Sequence, residues 1–257
     1  MKTSSKPDNK IRDLEQKTHK KADDPQATKS RIVLDKIAES INIDDPVVAA
    51  NMVIKNNMSC INHLSAKRKS ADYTKLFEQK LDENQKKFYQ GYFKYCQELD
   101  KQHPEWNLSD ISKLQKLKNS AVATSLWGQI VNREINQKQL SETEIRTLLK
   151  QNDLNILSDA PKLLEDYYLN VIHWELEDVL QNHQYEYTNH IRLYAHQLYL
   201  CDLGANCGPQ SSIMASLCYL NTHSCGLDYP HYVTEILTAG QQADIQLAMN
   251  YLKRIYQ

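Results

Sequence analysis

Apolar residues recur along this chain every three or four positions. Val33, Ile37 and Ile41 share one helical face, and Val47, Ala50, Ile54, Met58, Ile61 and Leu64 share the next. Tyr73, Leu76, Phe77, Leu81, Phe88, Tyr92, Tyr95 and Cys96 carry the spacing through 70–102. Ile111, Leu114 and Leu117 continue it, as do Val122, Leu126, Ile130 and Val131 within 119–136. Leu163, Leu164, Tyr167, Val171, Trp174, Leu176 and Leu180 mark one long helix, and Ile191, Tyr194, Ala195 and Leu198 another. No segment alternates apolar and polar with the period of two of a half-buried strand. The pattern predicts an all-α fold, with short loops joining antiparallel helical hairpins as a bundle or a short irregular α-solenoid.

Local punctuation sets the expected helix ends. Asp44-Asp45-Pro46 reads as an N-cap followed by a proline at the first helical position. Asp82-Glu83-Asn84 breaks the 70–102 region, and His103-Pro104 ends it, because the residue before proline avoids the α region. Ser109 or Ser112 starts the next helix, and 119–136 continues as a helix. Ser141 with Glu144 forms a capping box. Ser158-Asp159-Ala160-Pro161 opens the long helix, and Thr188 caps its successor. A short helix is expected around 210–220 and a terminal helix near 239–256. Residues 1–27 lack periodic apolar positions and are expected to form a flexible polar arm, 28–200 a helical-hairpin body, and 201–257 a cysteine-containing C-terminal module packed on it.

Composition narrows the function classes. A chain of 257 residues suits one large domain, or one domain with a flexible arm. Its six glycines form no dinucleotide, P-loop or nucleophile-elbow signature. The net charge of −1 gives the whole molecule no bias toward nucleic acid, and no nucleic-acid partner is expected. Residues 1–31 are locally basic, with nine Lys/Arg against five Asp/Glu, which reads as a solvated tail. No run of about 18 apolar residues is present, so no transmembrane segment is expected.

The cysteines bear on compartment. Cys201, Cys207, Cys218 and Cys225 fall within 25 residues. Zinc fingers place ligands in tight C-x2–4-C knuckles, and the spacings here are longer, although His223 or His231 could substitute. Short disulfide-closed loops, Cys201 to Cys207 and Cys218 to Cys225, fit better, since each encloses turn-forming residues. Free thiols remain a further alternative. Cys60 and Cys96 form a third bridge or a pair of buried thiols. Disulfides imply an oxidising compartment. Yet MKTSSKPDNK shows no apolar signal core, which taken alone suggests the cytosol. The expectation that reconciles the two is a periplasmic or secreted protein whose signal, or lipid anchor, lies outside this chain.

The hairpin organisation and the small-residue patch Ala121, Ala123, Gly128 resemble the Sel1/TPR class of helical repeats. The stretch CDLGANCGPQSSIMASLCYLNTHSCG is similar to the four-cysteine tail of uncharacterised bacterial envelope proteins with Sel1-like helices. The resemblance implies an envelope location and a protein-binding role, and it carries no catalytic residue across.

Candidate chemistry centres on His173-Trp174-Glu175 and Glu177. His173 and Glu177, at i and i+4, share a helical face as an ion pair at the surface or half buried. A zincin would need a second histidine four residues on, which this sequence lacks. His190 and His196 are six apart and point to different sides of one helix. Tyr167, Tyr168, Tyr185, Tyr187, Tyr194 and Tyr199 are candidates to line an amphipathic groove. No cofactor is expected. The reading is a non-enzymatic extracytoplasmic protein that binds a protein or peptide partner. The alternatives are a secreted hydrolase or toxin-like effector using His173, Glu177 and His190 or His196, and a cytosolic zinc-binding adaptor.

Overall fold

The computed structural model describes the backbone of residues 25–69 and 73–257, and the side chains of 32–66, 75 and 77–257. Most of the expected arm, and the side chains of Tyr73 and Leu76, lie outside these residues. The described residues contain helices and turns and no strand.

Helix α1 (Pro25–Ile41) stops at Asn42, whose φ of 55° leaves the helical region. Asp45 caps α2 (Pro46–Asn56), which ends at Asn57, so Met58 opens a separate helix α3 (Met58–Lys69). After α4 (Tyr73–Glu78), Asp82 and Gln85 form a capping box for α5 (Glu83–Gln102). Asp110, not Ser109 or Ser112, caps α6 (Ile111–Ser120). The expected continuous helix over 119–136 reduces to α7 (Leu126–Val131), capped by Ser125. The cause is non-local: the Thr124 and Ser125 backbone N–H groups donate to the Asp45 carboxylate at 3.0 and 2.8 Å, holding Ala121–Ser125 out of the helix.

Ser141 and Glu144 box the start of α8 (Glu142–Leu149) as expected. Asp153 opens α9 (Leu154–Leu163), leaving Pro161 inside that helix rather than at its start. A proline there provides no N–H for the Leu157 carbonyl four residues back. His196 supplies the missing donor, with Nε2 3.0 Å from Leu157 O. Next come α10 (Glu165–Tyr167), a π-turn over Tyr168–Ile172, α11 (His173–Leu180) and α12 (Tyr185–Asp202). Thr188 does not cap α12; its hydroxyl donates to Asn182 O instead. The chain finishes with α13 (Ser212–Leu220), α14 (Tyr229–Ile236) and α15 (Ala239–Tyr256). The sequence reading missed α14, which Asp228 caps and Pro230 follows in the first turn.

Two apolar cores are shared by common walls. Val47 and Val48 of α2 face a core built from residues 123–256, while Ala49, Ala50, Val53 and Ile54 face one built from α1, α3, α5 and α6. Helix α13 divides similarly: Met214 joins the first core, and Ala215 and Cys218 join the second. Three disulfides fasten this arrangement. Cys60–Cys96 joins α3 to α5, Cys201–Cys207 closes the end of α12, and Cys218–Cys225 ties α13 to the turn after it, with Cα separations of 5.2, 5.7 and 4.5 Å. Among the described residues no helix is long and apolar enough to cross a membrane.

Candidate functional site

The site is assembled where α11 meets α12. At the π-turn the His173 N–H donates to Tyr168 O, five residues back, instead of to the usual fourth. Leu169, His173 and Glu177 then follow one another along one row, and Asn170 and Trp174 along the adjacent one. Both rows line a cavity of about 490 Å3. Gln181, at φ 50°, ends α11 in the left-handed region, and the loop that follows brings His183 back over Glu177. Tyr185 begins α12 and lays its ring against His173 with centroids 4.5 Å apart. His183 and Tyr185 complete the lining.

The floor is polar and buried, and the rim is aromatic and open. His173 is 2% exposed and Glu177 4%, whereas Trp174 is 61% and Tyr185 54% exposed. One Glu177 oxygen meets His173 Nε2 at 3.1 Å, and the other lies 3.5 Å from His183 Nδ1. The carboxylate therefore sits between two imidazoles, one buried and one largely in solvent. With Nε2–H donating to the carboxylate, His173 Nδ1 is an acceptor, and it has no partner among the described residues.

The stretch of chain that supplies the cavity lining is acidic. Between Leu163 and Ile191 the sequence places Glu165, Asp166, Glu175, Glu177, Asp178 and Glu186, and no lysine or arginine. Glu175 turns away from the cavity, accepting from the Tyr251 hydroxyl at 2.9 Å with the Arg146 guanidinium 3.9 Å away. Arg192 is the next basic residue along the chain. It is buried over the Tyr168 ring, and burial pulls its pKa down.

The structure redistributes the other candidates. His173 and Glu177 do pair, but as a fully buried contact rather than one at the surface or half buried. The tyrosines do not line one groove, because most of their rings fill the core. Tyr167 is buried beneath Arg146, and Tyr168 is buried with its hydroxyl 2.9 Å from that of Tyr256. Tyr199 is buried and donates to Asn152 at 2.6 Å. Tyr194 is half-buried against the core. The Tyr187 hydroxyl donates to Asp244, and desolvation together with this contact pushes its pKa up to about 12.

Neither histidine nominated alongside His173 lines the cavity. His190 is exposed elsewhere on α12. His196 is buried, and desolvation lowers its pKa to about 4. Its Nε2–H donates to Leu157 O, and Nδ1 accepts from Tyr256, which in turn accepts from Tyr168. That chain of bonds explains the burial of all three side chains without any catalytic role.

His183 is the member that sequence reasoning missed. Only its place in the loop after an acidic helix pointed to it, and the Gln181 turn decides where it lands. Among the described residues no group of three His, Cys, Asp or Glu side chains converges to hold a metal. All six cysteines are in disulfides, so the thiolates that a zinc site would draw on are committed. Comparison of the chain with protein-family models, curated proteins and solved structures finds no match.

Proposed function

We propose that this is a binding protein of an oxidising compartment, periplasmic or secreted, whose α11–α12 cleft takes a segment of a protein or peptide partner. One observation carries the reading: exposed Trp174 and Tyr185 flank a cavity floored by the buried His173–Glu177 pair. Large aromatic rings left in solvent beside a concave polar floor match the composition of binding hot spots, where Trp and Tyr dominate. The three disulfides support the compartment, since such bonds are rare in a reducing cytosol.

Selection of random twelve-residue peptides displayed on phage against the immobilised chain tests this. Enriched peptides should share a motif and lose binding to Trp174→Ala and Tyr185→Ala. Enrichment that both variants retain would remove the cleft from the account.

A hydrolytic reading keeps one supporting observation. Glu177 faces His183 Nδ1, the arrangement by which a carboxylate orients an imidazole as a general base. No serine, threonine or cysteine lines the cavity, so water would be the nucleophile. Hydrolysis of a generic ester or peptide library that His183→Ala abolishes would favour this reading over simple binding.

A further inference from the structure

We infer that the cleft selects a basic side chain, lysine or arginine, presented by the partner peptide. This inference rests on the cleft being the peptide-binding surface. Three features converge on a cation.

The first is charge. Six carboxylates and no lysine or arginine lie between Leu163 and Ile191; Glu177 forms the floor of the cleft, and only Glu175 is drawn away, to Tyr251 and Arg146. Arg192 does not neutralise them, because it lies buried against Tyr168 and outside the lining. A polyanion such as nucleic acid, or an anionic lipid surface, would be repelled by the same carboxylates.

The second is the rim. The exposed rings of Trp174 and Tyr185 present negative π-faces, which attract an ammonium or guanidinium placed over them. An aromatic wall above a carboxylate floor suits a cation carried on an apolar stem. The stem packs against the rings while the charged head reaches the acid.

The third is the polar atom left over. His173 Nδ1 is buried in the lining side chain and, with the proton on Nε2, has a lone pair and no donor among the described residues. Lysine and arginine bring donors only. The cavity, at about 490 Å3, has room for a long side chain and the backbone that carries it.

The test uses the full chain and four fluorescein-labelled peptides on one Gly/Ser/Leu scaffold, with a central lysine, arginine, norleucine or citrulline. Anisotropy titrations should give the lysine and arginine peptides at least about tenfold tighter binding than their neutral counterparts, weakening as salt is raised. Glu177→Gln should reduce that preference to less than about threefold. Because Glu177 is buried, the exposed pair Asp178→Asn and Glu186→Gln is measured beside it, and should lower the preference while leaving the near-UV circular dichroism unchanged. Trp174→Leu should weaken the basic peptides.

If all four peptides bind equally, the charge inference is overturned and the peptide-binding reading stands. If none binds up to millimolar concentration, both fall. Butylammonium or butylguanidinium binding in the cleft with no peptide binding would overturn the peptide as the source of the cation.

Discussion

The carboxylate of Asp45 offers the sharpest quantitative expectation. It is almost fully buried and accepts five hydrogen bonds. Oδ1 takes the Val47 and Val48 N–H groups at 2.9 and 3.3 Å, capping α2. Oδ2 takes Thr124 N–H at 3.0 Å, Ser125 N–H at 2.8 Å and the Ser125 hydroxyl at 2.6 Å. Ser125 then passes the network on, its oxygen accepting the Gly128 N–H at 2.9 Å to cap α7.

Loss of an N-cap alone costs about 1 kcal/mol. Each buried donor stranded by removal of a charged acceptor adds roughly 1–3 kcal/mol, though donors that share one carboxylate do not add in full. Asp45→Ala is therefore expected to destabilise by about 3–5 kcal/mol. Asp45→Asn keeps the α2 cap but turns an NH2 toward three donors, so it should cost nearly as much.

Gly128 gives this expectation a second handle. A Cβ there would overlap Asp45 Oδ2 and lie 2.8 Å from its Cγ. In an ordinary helix Gly→Ala gains up to about 1 kcal/mol. Here it should be destabilising, because the methyl group displaces the carboxylate from its donors. In the Asp45→Ala background that obstacle is gone, and the cost of Gly128→Ala should fall by at least about 1.5 kcal/mol. Urea unfolding followed by far-UV circular dichroism, with m-values checked for constancy, measures the four corners of the cycle. Additivity within about 0.5 kcal/mol would refute the reasoning, as would an Asp45→Asn cost no greater than that of Asp153→Ala, which removes a cap with two bonds.

Further outcomes are expected. Replacing the disulfides singly by alanine pairs should follow loop length: about 4 kcal/mol for Cys60–Cys96, 36 residues apart, against about 2 kcal/mol for Cys201–Cys207 and Cys218–Cys225, 6 and 7 apart. Urea midpoints read the order, and equal losses would contradict it. For His196, burial holds the folded pKa near 4, below the ordinary imidazole value of about 6.5. Between these values the unfolded chain binds the additional proton, so stability rises with pH across that window and is lost as pH falls through it, by roughly 3 kcal/mol in all. His196→Gln, compared at pH 4.5 and 7, should flatten this part of the profile; an unchanged slope would place the dependence elsewhere. Trp174→Ala should leave stability within about 0.5 kcal/mol of the parent, since the ring is exposed, while binding at the cleft is lost. A large shift in melting temperature would mean that Trp174 supports the fold instead.

What could be read in advance was whatever a few neighbouring residues settle among themselves. Asp45 before Pro46 and Ser141 with Glu144 satisfy their own helix starts within three residues, so composition and spacing sufficed. The apolar period gave the helical class for the same reason, and the i,i+4 relation placed His173 beside Glu177. Two of the misreadings trace to a partner far along the chain. Pro161 looked like a helix opener because the acceptor it leaves free, Leu157 O, is satisfied by His196, 39 residues away. The 119–136 helix broke because Asp45, about 80 residues earlier, takes the N–H groups of Thr124 and Ser125.

The candidate site divides along the same line. Its acidic floor and aromatic Trp174 are consecutive features of one helix. The cavity exists only because a π-turn, the reversal at Gln181 and the packing of α12 bring His183 and Tyr185 over them. Local hydrogen bonds are chosen among neighbours that the sequence always holds close. A competing donor or acceptor from elsewhere enters the choice only once the chain has folded, and where it binds more strongly, tertiary structure overrules the local preference.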